Sequence, residues 1–185
     1  MVHPQFTDYE MRTRHSFQMM MRALSYPGCI FNVLDSRKGI YADLAESLLD
    51  LETSFYCEDT VLLPTLQSTG ARQLPADRAA YHFYPTVNEM QIETITTANI
   101  GTLTYPDQGA TLFIGCRLGQ GIRLKLTGPG IPPSANRIIQ VDGIPDNFWQ
   151  SRKEIARYPR GWDIFLIDGN SIVGLPRSTR IMIEE

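Results

Sequence analysis

The sequence predicts an α/β fold, a single domain over residues 1–185 in which a mixed sheet carries packed helices. Three observations lead there. Helical and strand-like patterns alternate along the chain without strict βαβ regularity, which favours helices against a sheet over a pure bundle or sandwich. Residues 109–131 give the clearest pair of strands, and Asp168-Gly169-Asn170 marks a second strand pair further on. No internal repeat, low-complexity tract or linker divides the chain.

In chain order, Phe17, Met20, Met21 and Leu24 recur at helical spacing and predict a helix over residues 11–25, with Thr7 or Asp8 as its cap. Those four residues are expected to pack into the core, methionine filling gaps; a Met-rich docking face is the other reading. Pro27-Gly28 ends the helix, and residues 29–33 then read as a short buried strand. After a polar turn at 35–39, Tyr41, Leu44, Ala45, Leu48 and Leu49 mark a second amphipathic helix. Strands are expected at 54–57 and 81–84. Between Glu58 and Gln91, Pro64, Gly70, Pro75 and Pro85 break the pattern into short pieces. Residues 90–100 place Ile92 and Ile95 at helical spacing, although threonines disfavour a helix interior.

The 109–131 stretch reads as a hairpin: an apolar run at 110–118, a turn at Gly119-Gln120-Gly121, and a return at 122–127. In the return, Ile122, Leu124 and Leu126 point to a core while Arg123, Lys125 and Thr127 face away. Gly128-Pro129-Gly130 stops it. Residues 137–141 read as an edge strand. Pro145-Asp146 opens a helix through 157, with proline in its first turn and Phe148, Trp149 and Ile155 inward. The strand at 162–167 turns through Asp168-Gly169-Asn170 into 172–175, and after Pro176 a strand over 178–183 follows.

A chain of 185 residues, 43% of them hydrophobic, buries roughly 70% of its unfolded surface on folding and needs no covalent staple. The net charge of -3 supplies no field that would gather nucleic acid or an anionic membrane. Basic groups must act locally, and all of them except Lys38, Lys125 and Lys153 are arginines, suited to bidentate contacts. Cys29, Cys57 and Cys116 are too widely spaced for a disulfide framework or zinc ribbon, so reduced thiols are expected. The first residues lack a basic start with an apolar run, and no 18 apolar residues run together. A soluble cytoplasmic protein is the expectation.

Catalytic signatures are thin. His3, His15 and His82 have no metal-ligand spacing, and neither a Gly-x-Ser-x-Gly elbow nor a P-loop is present. The stretch from Gly128 to Ser134 looks like a phosphate cradle. Its three prolines lack the N–H groups a cradle needs, so a rigid turn is expected. Arg160, Arg177 and Arg180 are the candidate contacts for an anion or a partner's carboxylates. If 178–183 is a strand, Arg177 and Arg180 lie on opposite faces and do not clamp one anion together. Asp163, opening an apolar strand, is expected to pair with an arginine rather than act as an acid.

These residues bring a family into view. His15-Ser16-Phe17 through Pro27-Gly28, Gly109-Ala110-Thr111-Leu112 through Gly128-Pro129-Gly130-Ile131, and Tyr158-Pro159-Arg160-Gly161-Trp162-Asp163 with Leu175-Pro176-Arg177-Ser178-Thr179-Arg180 resemble, in order and spacing, the PhnH subunits of the bacterial carbon-phosphorus lyase core complex. Tyr158 stands where that family tends to have phenylalanine, and Ser178 where it tends to have threonine. The resemblance implies a fold similar to pyridoxal-phosphate-dependent transferases without their cofactor, and assembly with PhnG, PhnI and PhnJ subunits. It also implies a part in replacing the adenine of ATP with a phosphonate, giving a ribose 1-phosphonate 5-triphosphate, before PhnJ cleaves the carbon-phosphorus bond with an iron-sulfur cluster and S-adenosylmethionine.

The residues agree with a chain holding no cofactor, metal or catalytic set of its own. The cysteines are too scattered for a cluster, and all three lysines read as solvated rather than poised for an aldimine. Two functions stay open: an assembly or accessory subunit, which could also self-associate as a homodimer, and a stand-alone phosphonate- or nucleotide-binding enzyme using the vestigial cofactor cleft.

Overall fold

The computed structural model describes residues 7–34 and 38–184. The N-terminal residues, His3 among them, and most of the polar turn at 35–39 lie outside that description. In chain order the elements are α1 (Asp8–Ser25), β1 (Ile30–Asn32), α2 (Ile40–Leu48), β2 (Ser54–Cys57), α3 (Leu63–Gln67), β3 (Arg72–Gln73), β4 (Tyr81–Tyr84) and α4 (Glu89–Thr96). Then come β5 (Thr111–Gly115), β6 (Arg117–Thr127), β7 (Ile138–Asp142), α5 (Asp146–Ile155), β8 (Asp163–Asp168), β9 (Ser171–Leu175) and β10 (Arg180–Glu184).

Two sheets form among the described residues. The larger has the order β1-β9-β8-β5-β4-β2-β3 and the smaller the order β10-β6-β7. The run from β3 through β2, β4 and β5 to β8 is parallel, whereas β9 pairs antiparallel with both β8 and β1. The smaller sheet is antiparallel throughout. The large sheet is therefore mixed, as expected.

Alternation along the central strands builds two cores. Leu112, Ile114, Ile164, Leu166, Val173 and Leu175 point to one side, where α4, α5 and the small sheet cover them. Phe83, Phe113, Phe165 and Ile172 point to the other, under α1, α2 and α3. The parallel register sets Phe83 opposite Phe113 and Phe113 opposite Phe165. Their rings stack with centroids 4.8 and 5.1 Å apart and planes within 11°. Each such pair contributes about 0.5–1.5 kcal/mol beyond the area it buries.

Helix α1 begins with a capping box, Thr7 accepting from the Glu10 N–H while the Glu10 carboxylate accepts from Thr7 N at 2.7 Å. It lies so close to β9 that a Cβ on Gly174 would sit 2.4 Å from the Ala23 backbone, which requires glycine there. Arg12 reaches from α1 to the buried Asp43 of α2 at 2.9 Å and ties the two helices together.

Several expectations are corrected. Residues 110–118 and 122–127 are not a hairpin. β5 sits between β4 and β8 in the large sheet, while β6 belongs to the small one. The apolar run is a strand buried on both faces, and only the alternating run has a solvated face. Gly119 and Gly121 do have positive φ, but they lie inside β6, where the register against β7 shifts between Leu118 and Ile122. A Cβ on Gly121 would meet the Val141 carbonyl oxygen at 2.4 Å.

The inward stripe of α1 is Ser16, Met20 and Ala23, and Phe17 and Met21 are instead 46% and 49% exposed. Strand β1 is the edge of the large sheet rather than a buried strand, with Ile30 largely exposed. Pro145 occupies the N-cap of α5, not its first turn, and α5 ends at Ile155. Strand β10 begins only at Arg180, so Arg177 and Ser178 precede it and the opposite-face argument does not apply to them. Lys38 is ion-paired to Glu46 at 2.6 Å rather than simply solvated. The expected strands at 54–57 and 81–84, the second amphipathic helix and the β8–β9 hairpin stand as read.

Candidate functional site

Parallel α/β sheets usually receive ligands beyond the carboxyl ends of their strands. Here that position, past β2 and β4, holds a pocket of about 90 Å³ lined by Glu58, Asp59, Tyr84, Pro85 and Gln91. Several polar groups around it close on one another, while the buried Tyr41 hydroxyl has no hydrogen-bond partner. His82 is fully buried, and because the Ala79 carbonyl can only accept, Nε2 carries the proton and donates to it at 3.2 Å. Nδ1 then accepts from the Tyr84 hydroxyl at 3.1 Å. Burial pulls the His82 pKa down to about 4, so the ring is neutral at pH 7. Burial pushes Tyr84 well above the ordinary phenol range. Burial and the hydrogen bond its hydroxyl donates to Glu58 do the same for Tyr56. The thiols follow the same rule, Cys57 pushed up to about 11 and Cys116 to about 12 by burial.

A second concavity, of about 1030 Å³, opens between α5 and the segment leading into β10. Trp149, Arg152, Lys153 and Tyr158 form one wall, the Thr127-Gly128-Pro129 turn and residues 177–182 the other. Arg152 is 4% exposed, and its guanidinium donates to the carbonyls of Thr179 at 3.2 Å and Pro176 at 3.1 Å. Burial lowers its pKa to about 10, partly countered by Asp163, and it stays charged at neutral pH. Arg177 grips the Asp163 carboxylate, Nη2 donating to Oδ2 at 2.6 Å and the backbone N–H to Oδ1 at 2.8 Å, and its Nη1 donates to the Pro106 carbonyl. Asp163 is thus consumed by an arginine, as the sequence suggests.

The three sequence blocks singled out above converge here. Trp162 is fully buried and donates from Nε1 to the Ala98 carbonyl at 3.1 Å, and Asp163 N donates to the Ala110 carbonyl at 3.3 Å. The Gly128-Pro129-Gly130 turn abuts Ser178 on one side and Ser25 and Pro27 on the other. It acts as a wall between elements.

Of the candidate arginines, Arg177 and Arg180 line this one cleft, whereas Arg160 is not among its lining residues and has a buried Nε without a partner. Arg152 and Lys153 also line the cleft; Lys153 is exposed, as its solvated reading expects, and neither is among the sequence candidates for the site. For Arg152 the sequence carries a signal: it lies four residues after Phe148 and three after Trp149, on the inward face of α5. Among the described residues no group of three or more His, Cys, Asp or Glu side chains could hold a metal ion. No described helix is long and apolar enough to cross a membrane.

A family model described as bacterial phosphonate metabolism protein (PhnH) matches residues 4–182. A relative from Stutzerimonas stutzeri, the putative C-P lyase subunit protein HtxG, is 32% identical over 178 residues, spanning 94% of this chain and 87% of the relative. The subunit PhnH of alpha-D-ribose 1-methylphosphonate 5-triphosphate synthase from Rhizobium meliloti (strain 1021) is 35% identical over 86 residues, 44% of this chain and 41% of that protein.

Proposed function

The chain belongs to the PhnH family of bacterial phosphonate metabolism proteins, and from that membership we propose that it is a subunit of a carbon-phosphorus lyase core complex. In this reading it assembles with PhnG, PhnI and PhnJ subunits in the cytoplasm. It helps the complex replace the adenine of ATP with a phosphonate to give a ribose 1-phosphonate 5-triphosphate, in an assembly or accessory role, as one PhnH-like domain that also self-associates. The observation that carries the proposal is the family match over residues 4–182.

Chemistry supports the accessory role. The buried histidine has both ring nitrogens engaged, Cys57 and Cys116 are protonated at neutral pH, and the carboxylate beside the cleft is held by Arg177. Contact area supports assembly. Tyr9, Met11, Phe17 and Met21 on α1, with Tyr26 and Ile30 beyond it, are each about half exposed, an apolar surface of the kind that partners cover. We further propose that the mixed sheet with helices on both faces is similar to the fold of pyridoxal-phosphate-dependent transferases, without the cofactor.

Co-expression with the other core subunits tests this reading. The chain is expected to co-purify with them in fixed stoichiometry, and its absence from the purified complex would sink the proposal. A second reading, a stand-alone phosphonate- or nucleotide-binding enzyme, draws on the cations of the cleft. Turnover of ATP and an alkylphosphonate by the isolated chain would establish it in place of the first.

A further inference from the structure

We infer that the cleft between α5 and β10 is a binding site for an oligophosphate group, with Lys153 and Arg180 engaging it at the rim and Arg152 and Arg177 fixing the positive potential of the floor. Four cations line the cleft and no carboxylate does. Asp163, beside that lining, is ion-paired and hydrogen-bonded to Arg177. Arg152 is thereby a buried charge whose terminal nitrogens reach only backbone carbonyls. Burying an ion without an opposite charge in contact is costly, and a bound anion offsets that cost.

The polar atoms tell the same story. Nε of Arg152, Nε1 of Trp149 and Oγ1 of Thr179 are all sealed from solvent and have no hydrogen-bond partner, although each belongs to a residue at least nine-tenths buried that lines this cleft. Unsatisfied donors are rare in folded proteins, and three gathered around one concavity leave unused hydrogen-bonding capacity beside the cations. Lys153 and Arg180 are exposed, with no carboxylate in ion-pair contact among the described residues, so their charges are available to a ligand.

Size and chemistry narrow the occupant. A volume of about 1030 Å³ is at the upper end of small-molecule sites, roughly 300–1,000 Å³, and is far larger than one oxyanion requires. Guanidinium forks, an ammonium and the hydroxyls of Thr127 and Ser178 suit several phosphate oxygens along a chain. The exposed ring of Tyr158 gives the rest of such a ligand an apolar face to lie on. The inference rests on the proposed function only for which triphosphate compound is the natural occupant.

Calorimetric titration of the full chain with inorganic tripolyphosphate tests the site. Saturable binding is expected, weakening as salt is raised because the contacts are ionic. The exposed double substitution Lys153→Gln with Arg180→Gln is expected to weaken it by about tenfold or more, which is about 1.4 kcal/mol, at an unchanged melting temperature. Removing two cations elsewhere, Arg72→Gln with Arg78→Gln, is expected to leave affinity within about twofold, so that net charge alone is excluded. Absence of heat in the unsubstituted chain overturns the inference, as does equal weakening by both double substitutions. Inorganic phosphate binding as tightly as tripolyphosphate also overturns it. Displacement of tripolyphosphate by a poly-glutamate peptide that binds more tightly reassigns the cleft to an acidic segment of a protein partner. None of these results touches co-purification, so this site and the complex can fail separately.

Discussion

At the carboxyl ends of β2 and β4, where a parallel sheet ordinarily receives its ligand, most polar groups have found a neighbour, the buried Tyr41 hydroxyl excepted: His82 with Ala79 and Tyr84, Tyr56 with Glu58, Glu58 with Gln91. At the amino ends of β5 and β8 the opposite holds. Asp163 is bonded to Arg177 alone, Arg152 donates only to the carbonyls of Pro176 and Thr179, and three sealed donors around them stay unmatched. The difference teaches that satisfied polar groups describe a structural network even in the customary place, whereas an excess of one charge and unspent donors describe a receptive surface even in an unusual one.

The contrast can be broken from the cleft side first. Asp163→Ala strips Arg177 of its counter-ion, and both side chains are mostly buried, 21% and 15% exposed. A loss of about 3–4 kcal/mol in urea unfolding is expected, because it leaves an uncompensated charge. A loss below about 1 kcal/mol would mean that water already screens the pair, as on a surface.

The next effect belongs to the other pocket and is a pH dependence. Below about 6.5 the unfolded chain protonates its histidine, while the folded His82 resists until about 4. The unfolded state therefore binds more protons in that window, so stability is fully present above it and falls as pH drops through it. The loss amounts to about 3 kcal/mol at most. Comparing pH-dependent unfolding of the chain with that of His82→Gln isolates the contribution, since carboxylates titrate in both. Parallel curves would show that His82 takes up its proton while folded.

Tyr84→Phe removes the donor to Nδ1 and leaves a buried acceptor empty, for an expected cost of about 1–2 kcal/mol. No measurable change in urea unfolding would imply that water replaces the hydroxyl and that the network is less closed than the geometry indicates. Smallest is Glu58→Gln, at under about 1 kcal/mol, because an amide oxygen still accepts from Tyr56 in a half-solvated setting. A larger loss in the same assay would give Glu58 a charge-dependent role.

How far the sequence could be read depended on the range of the interaction concerned. Signals carried by neighbours in the chain came through: the α1 cap at Thr7, the turn at Asp168-Gly169-Asn170, the outward Arg123 and Lys125 against Leu124 and Leu126. Asn88 and Gln91 form a second capping box that makes α4 a helix despite its threonines, a signal the reading passed over. Pairing between distant strands left no such trace. Thr111–Gly115 is held by partners about 30 residues before it and 50 after it, so the glycines that happened to follow suggested a hairpin instead. The phenylalanine stack needed the parallel register to become visible.

The candidate site divided along the same line. Arg177 and Arg180 stood out because they sit in one short motif, and Asp163 because it opens an apolar strand. Arg152 was hidden because a cation on an amphipathic helix ordinarily faces water; only the position of Phe148 and Trp149 on the same face says otherwise.

The join between the two sheets has a mechanical consequence. β5 is the middle strand of the seven-stranded sheet, β6 is the middle strand of the three-stranded one, and Cys116 alone separates them, its N–H donating to Ile167 and the next residue but one donating to the Asp168 carboxylate. With one residue between the two middle strands, a displacement of the small sheet has to be absorbed at Cys116 or passed on to β5 and, through its pairing, to β8, the strand that Asp163 opens.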